Sequence, residues 1–467
     1  MLDLLFLSVP FTDSTTPPAA PAVISGVAKA NGFSSNFIDW NIEILKSEKP
    51  VLKAFREFSI TNRVIDKQLL IDKTNKLIHK IKKKSPKFVG ISVFTYNCLP
   101  ATKLLCLALR VYCPEVKIIL GGQGLANNGI NSQYSWGEEA LTQNLCDYWV
   151  KSEGEKAIVA ILNGEHNSNL FNTNVWTQID NLDEIPYPNY NDYNFDDYEK
   201  SIPVTASRGC VRQCTFCDIH EHWKKFVYRD GVSVATEMIY QASRLGINNF
   251  AFTDSLLNGS MKAYRDFVTT LADYNRQAEA GKKITWSSQF IFRPIGHMTD
   301  QDWKLTADAG AVSLSIGVES FSEEIRDHMK KKFSNKDIIE NLEIMQKYGL
   351  TCTFLMIVGY VTETEKHIQE TKKMIEKLKP FANNTITSIQ YGSTLGILPG
   401  TPLARMYGDE IIPGDQENDW VNITTGSTLE KRLQWIEELK KHAIKHGFTV
   451  KRDSTHQSLL ERNKALA

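Results

Sequence analysis

The sequence lacks an excess of charge of either sign. Its 467 residues contain 54 Lys plus Arg and 54 Asp plus Glu, so the formal net charge is zero. A general nucleic-acid binder neutralises many phosphates with basic side chains, and this balance argues against such a partner. Hydrophobic residues make up 42% and charged residues 23%, which excludes a mainly disordered or collagen-like chain.

Long apolar runs are also missing. No apolar stretch approaches the length that a membrane helix needs, about 20 residues. We therefore expect no membrane partner. The apolar start, Met1 to Pro10, carries Asp3 and no basic residue, whereas a signal peptide needs a positive region. Eight cysteines in so long a chain are too few for a disulfide scaffold. We therefore expect reduced thiols and a cytoplasmic location.

The first 180 residues alternate strand-like apolar segments with helix-like ones. This alternation predicts an α/β fold, a Rossmann-like doubly wound parallel sheet over residues 1–180. The strand-like segments are Leu2–Val9, Asn36–Trp40, Lys87–Phe94, Val116–Leu120 and Asp147–Lys151. Gly121, Gly122 and Gly124 follow the fourth of them, where ligands bind in such sheets. They are candidate cofactor contacts, although glycines here can also simply turn the chain.

A second series of strands and helices follows a Pro-, Asn- and Tyr-rich linker at 181–201. It predicts a partial (β/α)6 TIM-like barrel over 202–405, with a capping box at Thr362–Glu365 and a helical C-terminal extension at 406–467 that contains an amphipathic stretch, Ser427–His446. The expected strands are Ile202–Ser207, Asn249–Thr253, Ile284–Gln289, Val312–Gly317, Cys352–Val358 and Thr385–Tyr391.

Three cysteines, Cys210, Cys214 and Cys217, fall within eight residues directly after the first barrel strand. One short loop can offer three thiolates to a cuboidal iron–sulfur cluster and leave the fourth iron open. The same thiols with His220 could instead form a Cys3His zinc site, or they could be unliganded. The carboxyl end of a barrel strand is the functional end, which favours the cluster.

The spacing Cys-x3-Cys-x2-Cys, with Phe216 before the last cysteine, resembles the cluster loop of the radical S-adenosylmethionine (SAM) superfamily. Further segments agree in order, among them Phe252-Thr-Asp-Ser255 and Ser315-Ile-Gly-Val-Glu-Ser320, and the similarity covers about residues 200–405. This resemblance implies an enzyme with a 4Fe–4S cluster on Cys210, Cys214 and Cys217, and with SAM at the open iron.

The same resemblance implies that Phe216, Asp254 and Glu319 contribute to cofactor binding. Asp254 and Glu319 would accept hydrogen bonds from the ammonium and hydroxyl groups of SAM. The residues alone also allow simpler roles: Asp254 could cap the next helix, and Glu319 could be a helix-start residue. No catalytic residue is assigned.

The amino-terminal third is similar to the cobalamin-binding domain that precedes the barrel in one branch of this superfamily. The segments that carry the similarity are Val89-Gly-Ile-Ser-Val93, Ile119-Leu-Gly-Gly-Gln-Gly124, Ser152-Glu-Gly-Glu155 and Leu182-Asp-Glu-Ile-Pro-Tyr-Pro188. The Asp-x-His-x-x-Gly motif that supplies a histidine to cobalt is absent, and residues 1–150 contain only His79.

The resemblance therefore implies a cobalamin-dependent methyltransferase acting on an unactivated carbon, with a reductant protein such as flavodoxin or ferredoxin as its partner. A radical SAM enzyme without cobalamin that rearranges or cyclises its substrate is the first alternative. A non-catalytic cobalamin- or metal-binding regulator is the second. The substrate cannot be derived from the sequence, because one barrel hosts many reactions.

Overall fold

A computed structural model describes residues 2–12, 15–125, 135–165, 168–414 and 418–452. The chain divides into two compact units, Met1–Pro203 and Val204–Ala467. Across the described ranges, no helix combines the length and the apolar character needed to cross a bilayer.

The first unit is built on a parallel five-stranded sheet with strand order β2-β1-β3-β4-β5. Its strands are β1 (Leu2–Ser8), β2 (Ser35–Asp39), β3 (Pro86–Ser92), β4 (Lys117–Gly121) and β5 (Tyr148–Val150). Its helices are α1 (Ala19–Ala30), α2 (Trp40–Leu45), α3 (Lys49–Thr61), α4 (Lys67–Lys84), α5 (Leu99–Tyr112), α6 (Trp136–Thr142) and α7 (Gly154–Leu162).

Both faces of this sheet are buried, which explains the nearly continuous apolar strands. On β1, Leu5 and Leu7 belong to one core cluster, whereas Leu4 belongs to another on the opposite face. Strand order reverses between β1 and β3, the position where open α/β sheets bind ligands at the carboxyl ends of their strands. The predicted doubly wound sheet is confirmed.

The second unit contains a seven-stranded sheet with order β16-β13-β12-β11-β10-β9-β6. The strands of this half of the chain are β6 (Ile202–Val204), β7 (Ser207–Arg208), β8 (Val227–Tyr228), β9 (Asn249–Phe252), β10 (Thr285–Phe290), β11 (Ala311–Glu319), β12 (Cys352–Val358), β13 (Ile386–Thr394), β14 (Ile411–Pro413), β15 (Trp420–Asn422) and β16 (Val450–Arg452). The helices are α8 (Ile219–His222), α9 (Gly231–Leu245), α10 (Met261–Gln277), α11 (Asp300–Asp308), α12 (Glu323–His328), α13 (Asn335–Lys347), α14 (Glu365–Lys377), α15 (Pro402–Tyr407) and α16 (Leu429–Lys445).

The six strands expected for a partial barrel are present, and the α/β class is confirmed. The segment after residue 405 is more than a helical extension, however. It adds α16, an antiparallel pair, β14 with β15, and the short strand β16, which pairs in parallel with β13 and becomes the seventh strand. A three-residue strand carries too little periodicity to be recognised in a sequence.

The expected capping box at Thr362–Glu365 is wrong by two residues. Helix α14 begins at Glu365 with Thr364 as its N-cap, and His367 completes the box. Glu363 instead accepts hydrogen bonds from the main-chain N–H groups of Gly359 and Tyr360. This carboxyl is buried without a cation among these contacts, and burial raises its pKa to about 7.

We expect Glu363 to make the stability of the protein depend on pH. Between pH 4.5 and 7 the folded chain holds a proton on Glu363 that the unfolded chain has released. The free energy of unfolding therefore falls as pH rises through this window, by at most about 3 kcal/mol from this group. Glu363→Gln removes this contribution, which denaturant unfolding across the window measures.

Glu343→Gln, at an exposed position of α13, is the matched control and should keep the wild-type pH dependence. Burial also raises the pKa values of Asp39 and Asp254 to about 6, so the difference between wild type and Glu363→Gln is the informative quantity. Parallel curves for these two proteins would contradict the assignment.

Candidate metal centre

The three cysteines lie on the loop between β7 and β8, two short strands that pair antiparallel. The strand expected over Ile202–Ser207 is thus divided between β6 and β7. Cys214 is buried, whereas Cys210 and Cys217 are half-buried. The loop therefore presents its thiols at the carboxyl end of β6.

Thr215 fastens this loop to the barrel. Its main-chain N–H donates to the Met329 carbonyl (3.3 Å), and its carbonyl accepts from the Leu403 N–H (2.8 Å). Its hydroxyl lies 2.8 Å from the hydroxyl of Tyr360. The next residue, Phe216, packs against the apolar cluster that includes Met329, Tyr360 and Leu403. Three separate connections of the barrel therefore hold the loop at one point.

His220, the fourth donor of the possible Cys3His zinc site, is engaged in another contact. Its Nε2 atom donates to the Arg212 carbonyl at 2.6 Å. A structural zinc site needs four protein donors, and this hydrogen bond occupies one of the two ring nitrogens that could supply the fourth. The three thiols by themselves are the ligand set of a cuboidal cluster that leaves one iron open.

A buried cation, Lys331, lies beside the thiols. Its Nζ atom is 2.9 Å from Oε1 of Glu319, and both side chains are largely buried. Burial lowers the pKa of Lys331, but Glu319 and the thiols of Cys214 and Cys210 more than offset this, so the pKa is raised. In turn, burial raises the pKa values of Cys210 and Cys214, and Lys331 opposes the rise. The ammonium group thus favours thiolates at these positions.

The backbone is specialised to bring Glu319 and Lys331 together. Glu319 ends β11 with φ of 66°, and Lys330 and Lys332 have φ of 62° and 59°, a left-handed region that few residues other than glycine adopt. At Gly317, an added Cβ would lie 2.4 Å from Oε1 of Glu319 and 3.2 Å from Nζ of Lys331. A side chain at 317 would therefore displace the ion pair.

Asp254, the other predicted SAM contact, supports the base of the cysteine loop. It is buried and accepts hydrogen bonds from the Ala206 N–H (2.9 Å) and the Ser207 hydroxyl (2.5 Å). Arg229 also binds this segment, since its N–H donates to the Ala206 carbonyl (2.8 Å) and its guanidinium contacts Glu237 (2.6 Å). The contact of Asp254 with SAM stays a prediction, as does that of Phe216.

The less buried face of the neighbouring strands is polar. On β10 and β11, Trp286, Phe290, Leu314 and Ile316 form the buried face, and the residues between them point the other way. The alternate positions are paired across the strands as Ser287 with Ser313 and Gln289 with Ser315. Glu319 lies on this second face of β11. Hydroxyl and amide groups, which hydrogen-bond without charge, thus lie on the same face of the sheet as Glu319.

The glycines after β4 are explained by packing in the first unit. The Gly124 N–H donates to the Val93 carbonyl (2.9 Å). An added Cβ at Gly122 or Gly124 would lie 2.4 Å from the carbonyl oxygen of Val93 or Thr95. Gly121 ends β4. Contacts from Gly121, Gly122 and Gly124 to a cofactor stay predictions.

Sequence reasoning missed Lys331, Thr215 and Tyr360. Lys331 stands in a run of three lysines, which is typical of solvated surface, and its burial depends on the left-handed residues on either side. Thr215 and Tyr360 belong to no recognised motif. Thr215 lies between Cys214 and Phe216, and this position is the one signal in the sequence that could have identified it as part of the site.

Comparisons with known proteins connect this geometry to a family. The family model of the Radical SAM superfamily matches residues 204–375. An uncharacterised methyltransferase of Pyrococcus horikoshii is 25% identical over 330 residues, 68% of this chain and 70% of the relative. The bacteriochlorophyllide d C-12(1)-methyltransferase of Chlorobaculum tepidum is 26% identical over 270 residues, 55% of this chain and 54% of the relative.

Two solved structures share the fold. TsrM of Kitasatospora setae, a radical SAM methyltransferase solved with tryptophan substrate and a SAM analogue, has a TM-score of 0.65 and 15% identity, over 92% of this chain and 83% of that one. OxsB, a cobalamin-dependent SAM radical enzyme solved with aqua-cobalamin and SAM, has a TM-score of 0.66 and 15% identity, over 92% and 64%.

We expect Lys331→Gln to slow alkylation of Cys210 and Cys214 in the cluster-free protein by a factor of about two to five. Loss of the ammonium group lowers the thiolate fraction of both cysteines, and the unpaired Glu319 carboxylate lowers that of Cys214 further. Iodoacetamide labelling at pH 8, followed by peptide mass spectrometry, measures the rates.

The control is Lys332→Gln, at an exposed position, which should label at the wild-type rate. The five cysteines outside the loop are all buried and should contribute little. Equal slowing in both lysine variants would show that Lys331 has no particular effect on the thiols.

Proposed function

We propose that this chain, whose residues 204–375 match the family model of the Radical SAM superfamily, is a cobalamin-dependent radical SAM methyltransferase acting on an unactivated carbon. The observation that carries the proposal is the cysteine loop: three thiols within eight residues, beside a buried cation, at the carboxyl end of a barrel strand. The methyltransferases among its relatives support the reaction class.

Cys210, Cys214 and Cys217 would hold a 4Fe–4S cluster, and three protein ligands would leave one iron for SAM. When bound, the cluster supplies the electron that cleaves SAM to methionine and a 5′-deoxyadenosyl radical. Lys331 offsets negative charge on this side of the loop. Thr215 and Asp254 fix the loop at its middle and at its base, so that the thiols keep their spacing.

SAM itself would lie against the polar face of β10 and β11. The carboxylate of Glu319 is held by Lys331 through Oε1, and a carboxylate has a second oxygen that can accept a ribose hydroxyl. Ser315 and Gln289 offer neutral hydrogen-bonding groups on the same face. Such groups orient a ligand and replace water around it, while the cofactor supplies the difficult chemistry.

Cobalamin would bind the first unit at the carboxyl edge of its sheet, between β1 and β3. Phe94 and Tyr96 follow β3 and are exposed, and Gly122 leaves main chain exposed after β4. Together they offer an aromatic and peptide surface to a large planar ligand. When bound, cobalamin supplies a methyl carrier. His79 lies exposed on α4, and the absent motif leaves no recognised histidine for cobalt.

We expect anaerobic expression with hydroxocobalamin to give about four irons and four sulfides per chain, cobalt retained through desalting, and 5′-deoxyadenosine on reduction with SAM. A reductant protein such as flavodoxin or ferredoxin would supply the electron, and dithionite replaces it in the assay. Cys210→Ala, Cys214→Ala and Cys217→Ala should each lose iron and 5′-deoxyadenosine formation.

Cys113→Ala, which removes a buried thiol outside the loop, is the matched control and should keep both. Zinc without iron or sulfide would contradict the radical mechanism. Iron and 5′-deoxyadenosine without retained cobalt would contradict cobalamin dependence and leave a cobalamin-independent radical SAM enzyme. Cobalt retained without SAM cleavage would favour a regulator.

A further inference from the structure

A second group of metal-ligating side chains lies where helices α14 and α16 face each other near their carboxyl ends. Glu376 projects from α14, His442 projects from α16, and His446 is the C-cap residue directly after α16, with their ligand atoms within 4.8 Å of one another. We propose that these three side chains bind a divalent transition-metal ion such as Zn²⁺, at a site separate from the cysteine loop.

The spacing on α16 suits a shared ligand. Residues four apart lie on the same face of a helix, and histidines at this spacing form the zinc-binding pair of many helical sites. The ring centroids of His442 and His446 are 4.4 Å apart. Imidazole and carboxylate together are a donor set that zinc uses in proteins.

The hydrogen bond of His446 leaves its other nitrogen ready for a metal. Nδ1 lies 2.9 Å from the main-chain carbonyl of His442. A carbonyl only accepts, so Nδ1 carries the proton and Nε2 of the neutral ring has a lone pair. Metal-ligating histidines commonly make this second contact, which fixes the ring orientation.

His442 and Glu376 are also placed as ligands. Nε2 of His442 is 3.3 Å from Oε1 of Glu376, but this buried nitrogen makes no hydrogen bond among the described residues. Two donors that bind one tetrahedral zinc at 2.0–2.1 Å are separated by about 3.3–3.4 Å. The observed 3.3 Å between Nε2 of His442 and Oε1 of Glu376 therefore matches the separation of two ligands on one ion.

The competing interpretation is an ion pair between protonated His442 and Glu376. Burial lowers the pKa of His442, and the neighbouring His446 lowers it further, while Glu376 and a hydrogen bond to the main chain of Lys372 raise it and the charge of Lys372 lowers it slightly. The net direction favours the neutral ring. Lys372 is the positive charge that opposes a bound cation here, and its Nζ atom lies 3.0 Å from Oε2 of Glu438, which offsets part of that charge.

A bound ion would join α14 to α16, the helix that precedes β16. Because the ion would bind the folded protein and not the unfolded chain, it would stabilise the second unit by mass action. Its three ligands lie on α14 and at the carboxyl end of α16, and none belongs to the cysteine loop, so the proposed role is structural and independent of the proposed reaction.

The test uses the anaerobically prepared protein with its cluster in place, so that the loop thiols are not available to added metal. We expect one equivalent of ZnCl₂ to bind by isothermal titration calorimetry. The unfolding temperature should rise by about 5 °C at a hundredfold excess over the dissociation constant, whereas MgCl₂ should leave it unchanged. If no cluster forms, the triple Cys→Ala variant serves for the same titration, which keeps this proposal separate from the proposed function.

His442→Gln and His446→Gln should each weaken zinc binding at least about tenfold and abolish the shift. Glu376→Gln should weaken it in the same direction. His79→Gln, at an exposed histidine of α4, is the matched control and should bind as wild type. No zinc equivalent in the wild type, or unchanged binding in both α16 variants, would overturn the proposal.

Discussion

The hydrogen bonds of Thr215 join the cysteine loop to three separate parts of the barrel. They reach Met329 after α12, Tyr360 after β12 and Leu403 in α15. These three segments are far apart in the sequence. These bonds fix the middle of the loop, where Cys214 and Phe216 flank Thr215. The positions of the three thiols therefore depend on how this one residue is held.

Charge placement depends on that fixed loop. Lys331 can influence Cys210 and Cys214 only because the loop brings them beside a lysine that is itself held by Glu319. A buried ion pair is costly to desolvate and is weak evidence for stability. This ion pair lies beside candidate metal ligands, in space that Gly317 leaves for it. We therefore assign Lys331 the proposed role of a fixed positive charge next to the thiolates that would hold a negatively charged cluster.

Local sequence determined what could be predicted. The parallel sheets followed from apolar runs buried on both faces, and the superfamily followed from eight adjacent residues with a fixed cysteine spacing, a resemblance confirmed by the match over 204–375. Lys331, β16 and the group formed by Glu376 with His442 and His446 escaped prediction because each depends on packing between distant segments. Glu376 and His446 are 70 positions apart, and no periodic pattern connects them. Glu363 shows the same limit. A carboxylate at a helix start is expected to be charged, whereas Glu363 is buried and burial raises its pKa.

An open iron on the cluster can be detected by electron paramagnetic resonance of the reduced protein, recorded before and after SAM is added. We expect the signal of a reduced 4Fe–4S cluster that changes when SAM binds, because three cysteine ligands leave one iron open to it. A signal that SAM leaves unchanged, or no cluster signal from protein that retains Cys210, Cys214 and Cys217, would rule out a SAM-binding cluster on these cysteines.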